Sequence, residues 1–142
     1  MVYWETADQD PSLDADALEW TRAWKALDKV VFSKTLKDVK GRSRLLTGGF
    51  LEELQRLKNE PGDGEIAIGG ASLAAQGAKA GLIDEYQLQQ HPVLVGGGVP
   101  FFAHDQQHVK LELIETRTFK ASVAFLRYRV PVDQSYDSRC SW

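Results

Sequence analysis

The chain has 142 residues, of which 43% are hydrophobic and 26% charged, with a formal net charge of −3. That balance suits one globular domain with a sizeable core, and argues against both a disordered chain and a general nucleic-acid-binding face. No apolar run is long enough to span a bilayer, and the residues after Met1, Val-Tyr-Trp-Glu-Thr, have neither the basic nor the apolar region of a secretory signal.

A lone cysteine, Cys140, cannot build a disulfide framework, and three histidines without other cysteines do not suit a structural zinc. The expected setting is cytoplasmic, with no membrane, no nucleic acid and no metal. Residues 1–11 show no regular pattern. Pro11-Ser12-Leu13-Asp14 reads as a helix start, with Ser12 as cap and acids at the positive end of the dipole. Ala17, Trp20, Trp24 and Leu27 then share one face, a stripe that reads first as core packing.

Lys29 to Ser33 reads as a short buried strand, and Ser43 to Leu46 as a weaker one. Thr47-Gly48-Gly49 leads into a helix with Phe50, Leu54 and Leu57 inward and Glu52, Glu53, Gln55 and Lys58 outward. Asn59 to Gly64 is a loop. Ile66 to Ile68 reads as a buried strand ending at Gly69-Gly70. Ala71 to Ala80 reads as a helix and Gly81 as its stop. Alternating helices and strands point to an α/β fold with a parallel sheet.

Past Gly81 a long extended stretch is expected from Leu82 to Val95, with Pro92 at a bulge or edge position. Gly96 to Pro100 reads as a turn. Lys110–Thr118 and Ala121–Val130 read as a hairpin around Phe119-Lys120, and residues 131–142 as a polar tail.

The glycine pair before Ala71 lets backbone approach a ligand, and the helix beginning there offers unpaired N–H groups to a phosphate. Close strand–helix packing is the competing explanation, because the three-glycine dinucleotide fingerprint is absent. Lys34, Lys37, Lys40, Arg42 and Arg44 form a basic run that is a wet loop unless a 2′-phosphate sits near that strand end. His104 and His108, four apart beside Asp105, would suit a metal only on a helix, and a solvated connection is the simpler reading. Cys140 has no evident activating base and reads as incidental.

Together, Lys29 to Leu36, Ile68 to Leu73, Gly81 to Glu85 and His91 to Phe102 resemble the reductase family represented by the C-terminal domain of the bacterial riboflavin-biosynthesis deaminase/reductase. The resemblance runs over roughly residues 3–130. It implies a dihydrofolate reductase-like α/β domain: a mixed, mainly parallel sheet flanked by helices and ending in an antiparallel hairpin. It also implies NADPH as cofactor, with Gly69, Gly70, Ala71, Ser72 and Leu73 at the pyrophosphate and Ser33, Lys34 and Thr35 at the adenosine ribose and its phosphate. The family's first strand and helix, which carry substrate-side residues, would lie ahead of Tyr3, so residues 1–142 read as one N-terminally short domain. Ile68 stands where the riboflavin-pathway enzyme tends to carry an acid. No catalytic residue is identified.

The expected activity is NADPH-dependent reduction of a small heterocyclic or carbonyl substrate, pterin- or flavin-precursor-like. The alternative is a non-catalytic, truncated dinucleotide-binding or oligomerisation module. A homodimer is expected, covering an exposed sheet edge and the Trp20/Trp24 stripe.

Overall fold

The computed structural model describes residues 3–102 and 108–132. They divide into two compact units, one up to Phe50 and one from Leu51 onward.

The first unit opens with a short helix α1 (Tyr3–Thr6), followed by a tight helical turn over Ala7–Gln9. No regular element was expected there, since so short a helix has little intrinsic stability. Tertiary contacts hold it. The Trp4 ring meets Trp20 edge-on at 6.3 Å, and Glu5 accepts a hydrogen bond from Trp24 Nε1 at 3.0 Å. Helix α2 (Ala15–Ala26) is capped by Asp14, whose Oδ1 accepts from the Ala17 amide at 2.8 Å. Ser12 was the expected cap, but its amide and hydroxyl both donate to Asp10 Oδ1, which holds it in the turn two residues ahead of the cap position. The fully buried residue of α2 is Thr21, which satisfies its hydroxyl on the Ala17 carbonyl. Trp20 is half exposed, so the aromatic stripe lies only partly in a core.

Strands β1 (Lys29–Phe32) and β2 (Ser43–Leu46) pair in parallel, with Lys29 opposite Ser43 and Phe32 opposite Leu46. The Ser33 amide extends the ladder to the Leu46 carbonyl at 3.0 Å. Phe32 packs edge-on against Phe50 with centroids 5.3 Å apart.

Helix α3 (Phe50–Lys58) carries the second unit's apolar anchor, Leu54, at 3% exposure. Glu53 was expected to face water and is instead buried. A two-pronged hydrogen bond from Arg56, 2.7 and 2.9 Å, makes burial of that carboxylate tolerable. Helix α4 (Ala71–Lys79) packs close by: a Cβ added at Gly77 would touch Ile83 and Leu54. It ends in a Schellman motif, with the Leu82 amide on the Gly77 carbonyl and the Gly81 amide on that of Ala78.

A three-stranded antiparallel sheet follows, in the order β3-β5-β4. Strand β3 is Glu85–Gln90, β4 Glu112–Thr118 and β5 Ala124–Arg129. The expected hairpin is β4–β5, but its turn sits at Lys120–Ser122, one residue later than expected. A bulge between Leu113 and Glu115 shifts the register, which leaves Leu113 exposed and Ile114 half-buried. The long stretch expected from Leu82 to Val95 is a strand only to Gln90, because Pro92 turns the chain and the Val93 amide bonds back to the His91 carbonyl. Ile66 to Ile68 is not a strand: it finds no ladder partner among the described residues, and Ile66 is 42% exposed. Of the strand pairings described, one is parallel and two are antiparallel.

Candidate functional site

The two stretches singled out for a dinucleotide fall in different units: Ser33, Lys34 and Thr35 in the first, Gly69 to Leu73 in the second.

In the first unit the chain leaves β1 through a hydroxyl-capped turn. Ser33 Oγ accepts from the Thr35 amide at 3.2 Å and the Leu36 amide at 3.1 Å, and lies 3.3 Å from Thr35 Oγ1. Such a turn is what a serine at a strand end provides, since its oxygen replaces a backbone acceptor. The Ser33 hydroxyl is therefore committed to its own backbone. Lys34 and Thr35 are exposed beside it, as are Lys37 and Lys40. Arg42, counted in the same basic run, is taken by Asp28 through paired contacts of 2.8 and 2.9 Å. That guanidinium holds the Asp28 carboxyl below its ordinary range.

In the second unit the turn into α4 is bare backbone. Gly70 occupies the N-cap position with φ 98° and ψ 123°, and no side chain caps the helix. A Cβ added at Gly69 or Gly70 would meet nothing within 4 Å. Close packing therefore does not account for these glycines. The positive φ of Gly70 does, together with an open approach to the first amides of α4. Ser72 is exposed, and its carbonyl accepts from Gln76 Nε2. Ala71 and Leu73 are half-buried and root the first turn of the helix.

The ground around this turn is held by charge. Arg127, from β5, reaches Glu85 at 2.5 Å and Glu65 at 3.3 Å, tying the segment that leads to Gly69 onto the sheet. Glu85 is the main cause of the raised Arg127 pKa. Lys58 bonds the Leu82 carbonyl at 3.1 Å and pairs with Asp84, fastening α3 to the far end of α4. Neither fastening was foreseen, because sequence separations of 62 and 26 residues leave no local pattern.

Among the described residues no three His, Cys, Asp or Glu side chains gather for a metal. No described helix is long and apolar enough to cross a membrane. The His104–Asp105 part of the histidine pair, and Cys140, lie outside the described residues.

Helices, a parallel pair, an antiparallel hairpin and an open glycine turn ahead of a helix define a mixed α/β domain of the dihydrofolate reductase-like class. A Shewanella sp. PV-4 protein, provisionally named for riboflavin biosynthesis, has a crystal structure with this fold: TM-score 0.63 at 22% identity, covering 82% of this chain and 71% of its own. The family model described as the RibD C-terminal domain matches residues 5–125, and the chain belongs to that family. The uncharacterised Bacillus subtilis protein YyaP is 33% identical over 120 residues, which are 84% of this chain and 62% of YyaP. Another from the same organism, YwjB, is 37% identical over 68 residues, 48% of this chain and 39% of its own. The chain thus spans less than two thirds of these relatives' lengths.

Proposed function

We propose that this chain binds NADPH and belongs to a reductase of small heterocyclic or carbonyl compounds, pterin- or flavin-precursor-like. The observation that carries this reading is the uncapped, unobstructed Gly69-Gly70 turn at the start of α4 in a chain of this family. Gly69, Gly70, Ala71, Ser72 and Leu73 would hold the pyrophosphate through main-chain amides, where the helix dipole favours negative charge. Thr35 and Lys34 would take the adenosine ribose and its phosphate, with Ser33 shaping the turn that presents them. The exposed lysines of that turn favour a 2′-phosphate over a bare ribose. Bound, the nicotinamide would supply a hydride. A cytoplasmic location and a homodimeric state belong to the same reading.

Fluorescence titration with NADPH tests it. The chain binds NADPH, and Gly70→Val weakens binding about tenfold or more, equivalent to about 1.4 kcal/mol, with an unchanged circular dichroism spectrum. Lys34→Glu weakens NADPH and leaves NADH nearly unaffected. Absence of NADPH binding by the unaltered chain overturns the proposal. Oxidation of NADPH against pterins, flavin precursors and quinones then separates a reductase from the alternative, a binding module without turnover.

A further inference from the structure

Pro61, Gly62 and Gly64 open the link that runs from α3 to the glycine turn of α4. The Glu60 amide still bonds back to the Leu57 carbonyl, and the Gly70 carbonyl is taken up by the Ala74 amide. Between them, among the described residues, 61–69 lie in no helix or strand and make no backbone–backbone hydrogen bond. All are exposed except Ile68, which is half-buried. Such a link, with three glycines, has much conformational freedom to lose when the turn is ordered for a ligand.

One polar contact is described within the link: Glu65 Oε1 accepts from the Arg127 guanidinium at 3.3 Å. Arg127 stands on β5, the central strand of its sheet, opposite Gln87 of β3 and Glu115 of β4. Its Nε donates to Glu85 at 2.5 Å, which fixes the plane of the guanidinium. A second arm of the same fork reaches Glu65. Lysine, a point charge on a flexible stem, has no such pair of arms in a fixed plane.

Glu65 lies four residues ahead of Gly69, at most about 14 Å of extended chain. Anchoring it restricts where the turn can swing. Glu65 is 75% exposed and Arg127 30%, and a pair so wet adds little to global stability. Its effect is local: it biases the direction of the turn's amides before a ligand arrives, and preorganisation of that kind raises affinity. Lys58 acts elsewhere. It fastens the far end of α4, roughly 13 Å along the helix axis from the turn.

We propose that Arg127 is a positioning residue for the turn at 69–73: through Glu65 it holds the main-chain amides there in the orientation that a diphosphate requires. This rests on the reading of that turn as the pyrophosphate site. It makes NADPH affinity depend on a side chain outside the proposed cofactor contacts.

Nitrogen-15 relaxation and NADPH titration on the full chain test it together. In the unaltered protein the Gly69 and Gly70 amides have order parameters of about 0.85, as in rigid backbone. Glu65→Gln removes one charge and leaves Arg127 on Glu85. In that variant the order parameters fall to about 0.6 or below. The NADPH dissociation constant rises about fivefold, the size that an exposed pair allows. Arg127→Met has the same two effects, and Arg129, 3.9 Å from Glu85, keeps that carboxylate paired. The double variant binds NADPH no more weakly than Arg127→Met alone, because both changes remove one contact. Lys58→Met lowers the urea midpoint and leaves both order parameters unchanged, which separates positioning from general stability. If Arg127→Met does not fold, Glu65→Gln decides the matter alone. Order parameters that stay high without the pair overturn the inference. So does a loosened turn with undiminished affinity in a chain that binds NADPH. An unaltered chain that binds no NADPH, and whose turn still loosens when the pair is broken, overturns the cofactor reading and upholds Arg127 as the residue that holds the turn.

Discussion

Glu5 shows how much one side chain can organise. Its carboxylate, about one tenth exposed, accepts from Trp24 Nε1 and pairs with Lys29 Nζ at 3.2 Å. Lys29 also donates to the Trp24 and Leu27 carbonyls and sits over the Trp24 ring, 5.2 Å from its centroid. The second carboxylate oxygen lies where a Cβ at position 41 would be, and Gly41 has φ 67°. Only glycine meets both conditions without strain. Gly41→Ala should therefore destabilise the protein by about 2 kcal/mol or more in urea unfolding. In a Glu5→Ala background the clash is gone, and the same change should cost about 1 kcal/mol.

Exposed carboxylates give a further expectation at this scale. Asp10 is held below its ordinary value of 3.8 by the Ser12 hydroxyl and amide, Asp28 by Arg42, and Asp8 by Lys25. A carboxyl whose pKa is lower in the folded than in the unfolded state stabilises the fold above the unfolded value. That stability is lost as pH falls through the folded one. Urea midpoints should therefore stay level at neutral pH and decline once pH drops past about 3.8. Asp10→Asn should flatten part of the decline. The effect is modest, because solvent screens exposed pairs.

Among the elements, the β4–β5 hairpin carries the clearest local strain. Its turn is closed by the Phe119 amide on the Val123 carbonyl at 2.8 Å, and Ala121 and Ser122 have φ 63° and 58°. That bond encloses three residues, Lys120 to Ser122, and a Cβ in the left-handed region costs roughly 1–2 kcal/mol per residue, which Asn tolerates best and Gly avoids. The pair Ala121→Asn, Ser122→Gly should raise unfolding stability by about 1–2 kcal/mol. Helix α4 has the opposite character. Its C-terminus is closed by backbone hydrogen bonds and pinned by Lys58, while its N-terminus is left uncapped. A helix stable at one end and open at the other suits a site for an anionic group.

For the whole molecule, the sparse burial of apolar side chains matters most. Among the described residues only Ala7 and Leu54 are buried hydrophobics, whereas the Val93–Phe102 stretch is largely exposed. NADPH should raise the thermal midpoint of the chain, because a ligand that binds only the folded state stabilises it.

Local chemistry made much of this legible in the amino-acid order. Helix α3, helix α4 with its Gly81 stop, strands β1 and β2, and the β4–β5 hairpin follow from apolar spacing and turn residues that act over a few positions. The glycine turn ahead of Ala71 and the serine turn after Phe32 were visible for the same reason. Local spacing is silent about long-range partners. It did not show that Ile66 to Ile68 would find no ladder partner among the described residues, since a ladder needs a second segment. It did not show that Glu53 would be buried under Arg56, that Asp14 rather than Ser12 would cap α2, or that Glu5 would fasten Tyr3–Thr6 against Trp24. Those outcomes were decided by contacts between residues far apart in the chain, whose energies exist only once the backbone has brought them together.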